Sequence, residues 1–245
     1  MATTTISDRR DDVMFASSNL PVKVTGMQTM ASKMWVPLLG MGFMIVAIAF
    51  IVGLVTSSVA GDYFTASKLT REAAVTGSTL ATQQAFLEST KIWLPAFKFF
   101  GIGMMLGGVT FLLATILGAL RTGGGAVQEA LGSEVRIIQT PMTAKAFPML
   151  MMMGMMLMMI ALIVAIPTAT LSYSYWNHSI ATQLNPALAG SGILDNLATI
   201  NSIKLWLAPL KFLGMASLFA GIGLALATIV RVLRWQSGRL WEMLS

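Results

Sequence analysis

One segment of this chain occurs twice. Lys91-Ile-Trp93-Leu-Pro-Ala-Phe-Lys98-Phe99-Phe-Gly101 returns as Lys204-Leu-Trp206-Leu-Ala-Pro-Leu-Lys211-Phe212-Leu-Gly214, 113 residues later and without a gap. At the same offset Gly108 meets Gly221, Leu113–Ile116 meets Leu226–Ile229, and Arg121 meets Arg234. Self-similarity at a fixed offset constrains architecture more than any local signal, because each copy must fold alike. A fainter correspondence precedes it. Met30-Ala-Ser-Lys33-Met-Trp35 resembles Met142-Thr-Ala-Lys145-Ala-Phe147, and Tyr63–Phe64 resembles Tyr175–Trp176, both at an offset of 112. Gly77–Ser78 and Gly190–Ser191 align between them.

The repeated material is apolar. Of 245 residues 56% are hydrophobic and 11% charged, and the mean hydropathy is +0.75. A soluble domain carries about 25% charged residues, so this chain belongs to the membrane class. Four spans emerge near Trp35–Ala60, Phe99–Leu120, Phe147–Leu171 and Phe212–Leu233. Each exceeds the roughly 20 residues that cross about 30 Å of hydrocarbon, and none carries a charge at its centre. Alternating segments of about ten residues, the mark of a membrane β-barrel, are absent.

The expected fold is therefore an all-α membrane protein, with four transmembrane helices arranged as two tandem parallel-repeat hairpins. A repeated unit with an even number of crossings keeps one orientation, so the copies relate by a pseudo-two-fold axis along the membrane normal. The expected divisions are a polar tail over 1–33, a first repeat over 34–121, a cytoplasmic linker over 122–145, a second repeat over 146–234, and a C-terminal tail over 235–245. The tail carries both charge signs and little apolar surface, which suits ordering by a partner. Gly123–Gly124–Gly125 predicts a flexible linker.

Lys and Arg set the orientation. Ten lie on the side of the termini and six on the other, counting Lys98 and Lys211. Both termini are expected in the cytoplasm, and the membrane is expected to be a bacterial inner membrane. The outer loops are long, and each predicts an interfacial helix. In the second, Ile193, Leu197, Ile200 and Lys204 recur at helical spacing. Pro95 and Pro209 are expected to bend the chain from interface into span.

Candidate functional residues are few. Lys98 and Lys211 are intramembrane cations, a type that is functional by default. Each sits at the outer end of its span, where its stem can lie in the apolar layer while the ammonium reaches the headgroups. With Trp93 and Trp206 they read as interface anchors; a substrate or lipid-headgroup site is the sharper alternative. Gly103 and Gly107 form a GxxxG motif, and Ser217 and Gly221 a second small-xxx-small pair, which point to close helix packing.

The run from Met149 to Met159 invites a soft-metal reading, with Met152, Met155, Met156 and Met159 on one face. Gap-filling by a flexible thioether is the simpler account. His178 is the single histidine and there is no cysteine, which removes disulfides, thiolate sites and a bis-histidine haem. No catalytic residue, cofactor or metal ligand is assigned. The positive charges do not form the basic face that nucleic acid requires.

The chain is thus expected to perform no reaction of its own. It reads as a structural or accessory subunit of a larger inner-membrane complex, with other integral membrane subunits and phospholipid as partners. The alternative is a small four-helix transporter or channel with Lys98 and Lys211 near an outward vestibule.

Overall fold

The computed structural model describes residues 14–16, 26–130, 136–138, 142–185, 187 and 191–244. Its main elements are helices: α1 (Gly26–Thr65), α2 (Lys68–Glu72), α3 (Thr79–Ala130), α4 (Met142–Trp176), α5 (Ile180–Gln183) and α6 (Ile193–Leu244). Four of them, α1, α3, α4 and α6, are long and apolar enough to cross a membrane. The fold is all-α in its bulk and consistent with a multi-pass membrane helical bundle. The apolar windows of α3 and α6 are each 39% buried, against 11% for α1 and 28% for α4. Along their apolar stretches the second and fourth long helices are thus the most enclosed.

Three expectations are corrected. The stretches read as separate interfacial helices are the leading turns of α3 and α6, and Pro95 and Pro209 lie inside these helices. A proline removes one helix hydrogen bond. Long apolar flanks hold the helix together around that gap. The separate α-helices in these connections, among the described residues, are the short α2 and α5. The Gly123–Gly125 linker is also helical, because α3 runs on to Ala130. A side chain at Gly124 would collide with the amide of Gln236, and that amide donates to the Leu120 carbonyl at 2.6 Å. Packing thus offsets a glycine penalty of about 1 kcal/mol per residue.

Third, part of the N-terminal tail pairs with its own chain. Met14–Ala16 (β1) forms an antiparallel ladder with Arg136–Ile138 (β2), Phe15 opposite Ile137. Of the tail, residues 1–13 and 17–25 lie outside the described residues. So do 131–135 and 139–141 of the expected linker.

The chain divides into two compact units. One comprises Gly40–Met105 and Met153–Ala216. Its core is a cluster of small and branched residues: Ala96, Ala161, Ala165 and Ala169 with Ile92, Ile200, Leu207 and Tyr175. Here α1 and α3 touch backbone to backbone. A Cβ on Gly42 would stand 2.7 Å from the Gly101 carbonyl. Gly214 of α6 comes near α4 less tightly, its Cβ position 3.2 Å from the Gly154 carbonyl.

The other unit comprises Met1–Leu39, Leu106–Met152 and Ser217–Ser245. Leu117, Phe147, Ala225 and Val232 form its core. A Cβ on Gly108 would stand 3.0 Å from the Trp35 carbonyl, and one on Gly221 3.3 Å from the Phe147 carbonyl. Small residues give such approaches because dispersion contacts, not water exclusion, hold helices together in lipid.

Candidate functional site

A cleft lies among α1, α2 and α3, and local sequence builds it. After α1 ends at Thr65, Ser67 caps α2 by accepting the Thr70 N–H at 3.2 Å. One turn later α2 returns Arg71 over α1. Its guanidinium carbon sits 5.1 Å from the Tyr63 ring centre and 5.0 Å from that of Phe64, which are themselves packed edge to face. Gly77, at φ +76°, turns the chain into α3. That conformation is costly for any residue with a Cβ.

The resulting cleft has a volume of about 440 Å³ and is lined by Gly53, Thr56, Tyr63, Arg71, Glu88 and Lys91 among others. Glu88 pairs with Lys91. The Arg71 Nε is buried and finds no hydrogen-bond partner among the described residues. Lys98 points toward the same wall, its Nζ 4.0 Å from where a Cβ on Gly53 would stand.

The corresponding stretch of the second copy is built differently. Ser179 caps α5 by accepting the Thr182 N–H at 3.3 Å, with φ and ψ of −61° and 151° against −60° and 154° at Ser67. Yet Gln183 stands where the first copy has Arg71. It is buried and donates to the His178 carbonyl at 2.7 Å. Ala165 stands where the first copy has Gly53, and it is fully buried in the core. The two connections also interlock. Gly77 N–H donates to the Asn177 carbonyl at 3.2 Å, and Ser179 N–H to Thr76 Oγ at 2.9 Å. Gly190, aligned with Gly77 in sequence, lies outside the described residues; Gly192 takes the positive φ, at +88°.

The residues singled out in sequence do not form one site. Trp93 is half-buried and packs edge to face on Phe97. Trp206 is 43% exposed. Lys98 is exposed, whereas Lys211 is half-buried with its ammonium 5.8 Å from the Phe99 ring centre. Phe99 in turn meets Phe212 edge to face. The copied lysines thus have different surroundings.

Gly103, Gly107, Ser217 and Gly221 are all buried. Close approaches to the facing helix α1 fall at Gly101 and Gly108, about 130° round α3 from the GxxxG pair. Gly101 and Gly214, and Gly108 and Gly221, were the signal for these contacts, since each pair falls within the duplication. In the methionine run Met149, Met152, Met156 and Met159 are exposed, while Met151 and Met158 are buried. His178 Nδ1 donates to the Ser174 carbonyl at 2.8 Å. Among the described residues no three His, Cys, Asp or Glu side chains come together.

Sequence reasoning missed the cleft because Arg71 carries no motif. The one trace was a departure from the duplication, arginine where the second copy has glutamine.

In comparisons with protein-family models, with curated proteins and with solved structures, nothing matches this chain.

Proposed function

We propose that this protein is a non-catalytic packing subunit of a larger bacterial inner-membrane assembly, built as two tandem parallel-repeat hairpins with both termini in the cytoplasm. The observation that carries this reading is how the interior spends its hydroxyls. Buried Thr110, Thr168 and Thr228 donate to the Leu106, Val164 and Leu224 carbonyls of their own helices, at 2.9, 2.7 and 2.8 Å, and Thr228 also reaches Thr143 Oγ1 at 2.9 Å; buried Thr90 Oγ1 and Ser172 Oγ have no hydrogen-bond partner among the described residues. A solute path needs polar groups that converge on a ligand. The three threonines instead satisfy their own helices. The tight geometry of the molecule lies at the glycine contacts, where helices meet. The paired approaches at Gly101 and Gly214, and at Gly108 and Gly221, support the repeat. Phospholipid covers the remaining apolar faces.

Purification from native membranes in mild detergent, with identification of what accompanies the chain, tests the reading. Integral membrane subunits at fixed stoichiometry are the expected result. A chain that remains monomeric in native-like lipid would overturn it.

A transporter is the second reading, favoured by the cleft that gathers Arg71, Lys91 and the Lys98 ammonium. Solute uptake into liposomes that is lost on Lys98→Ala or Arg71→Ala would put this reading in place of the first.

A further inference from the structure

We propose that copies of this chain associate head to tail, with the α6 face of one copy packing on the α1 face of the next. This rests on the packing-subunit reading and names one partner of that subunit, a second copy of itself.

In the unit containing Met153–Ala216, Ile92 is 3% exposed and its counterpart Leu205 is 80% exposed. Ala96 and Gly103 are buried, but Pro209 and Ala216 are exposed. In the other unit Gly107 is buried and Ala220 exposed, while Leu117 is 8% exposed against 46% for Val230. The α3 positions fall at i, i+4, i+11, i+15 and i+25, a single stripe along the helix. Other faces of the two helices match. Leu94 and Leu207 are both buried, as are Gly101 and Gly214, and Gly108 and Gly221. One face alone is covered in the first copy and open in the second.

The first hairpin shows what covers it. Ile92 and Ala96 belong to one buried cluster with Ala169 of α4 and with Ile200 and Leu207 of α6; Leu162 packs against it, and on its α4 side Ser89 and Trp93 share one hollow with Ile166 and Ala169. The counterparts of Ala169 and Leu162 on α1 are Ser57 and Phe50. Both are exposed, Phe50 at 65%, as is Phe43 one heptad earlier. The chain therefore contains one satisfied α3–α4 junction and leaves open the two halves of another, one half on α6 and one on α1.

A closed two-fold would give Ile92 and Leu205 the same surroundings, and it does not do so here. Stacked repeats behave otherwise: the inner junction is filled and the terminal faces stay open. Lipid accounts for exposed Leu205 and Phe50. It gives no reason for Ala216 and Ala220 on the same stripe, where small side chains admit a second helix backbone. Because the open halves are different surfaces, the contact is heterologous. With an even number of crossings in each chain, neighbouring copies insert in one orientation.

The chain has no cysteine, which makes the test direct. Leu205→Cys and Ser57→Cys are placed in separately tagged copies, co-expressed, and oxidised in native membranes. The expected product is a mixed disulfide carrying both tags. Val55→Cys, also exposed but about 200° round α1 from position 57, should not link to Leu205→Cys. Links only between identical positions, or no link, overturn the proposal. As a second measurement, Ala216→Phe with Ala220→Phe alters exposed positions only. It should reduce the oligomer to single chains in mild detergent, and an unchanged mass overturns the proposal. If the mixed link is missing while foreign membrane subunits co-purify, self-association fails and the packing-subunit reading survives. If the chain is both unlinked and alone, both fail.

Discussion

Glycine has two roles in this molecule, and substitution separates them. At Gly42 and Gly101 a Cβ would stand 2.7 Å from atoms of the facing helix, among them the Gly101 carbonyl for Gly42. A backbone atom cannot swing away as a side-chain tip can. Gly42→Ala should therefore lower stability by about 1–3 kcal/mol, the usual cost of overpacking. Gly40 and Gly61 of the same helix have nothing within 4 Å of their Cβ positions. Gly40→Ala should be neutral or slightly stabilising, since alanine is favoured over glycine in a helix by up to about 1 kcal/mol. Gly108→Ala should cost more than Gly221→Ala, because the nearest atoms stand at 3.0 and 3.3 Å. Thermal unfolding of the four variants in one detergent checks this ranking. Equal midpoints for Gly40→Ala and Gly42→Ala would remove the close-contact account of α1 and α3.

At the scale of whole elements, apolar runs located the four crossings but not the ends of their helices. At 52 residues, α3 and α6 are each about 78 Å long at 1.5 Å per residue, more than twice the hydrocarbon thickness. Their outer turns are polar or glycine-rich, so composition there resembles a loop. Contacts that no local pattern encodes keep them helical, such as Gln236 reaching the Leu120 carbonyl across 116 positions of sequence. The cleft was hidden for a related reason. Its arginine is placed by a five-residue helix and two aromatic rings brought together in space. The glycine pairs, by contrast, were legible, because duplication marked them twice. A prediction follows for the end of α3. Gln236→Ala removes the amide that packs beside Gly124. Hydrogen exchange of residues 121–130 should then accelerate several-fold, while exchange of the segment around Ala96 stays unchanged. If 121–130 keeps its protection, the helix there depends on something other than Gln236.

For the molecule in its membrane, the charge bias gives an expected sidedness and the fold supplies a means to test it. Cations number ten on the side of the termini and six on the other. Such a bias orients a chain because positively charged segments resist translocation. Helix α6 is the most direct probe. Ser191 precedes its first turn, Ser237 lies in its last turns, and both are exposed. The rise from Ile193 to Ser237 is about 66 Å at 1.5 Å per residue, so a helix that crosses the membrane cannot leave both ends on one side. In right-side-out membrane vesicles, Ser191→Cys should react with a membrane-impermeant maleimide. Ser237→Cys should react only after the membrane is opened, and inverted vesicles should reverse the order. Because the native chain lacks cysteine, each signal reports one position. Labelling of both residues from the same face would mean that α6 does not cross, and the four-span topology would be lost with it. Reversed labelling would keep the four spans and overturn only the placement of the termini in the cytoplasm.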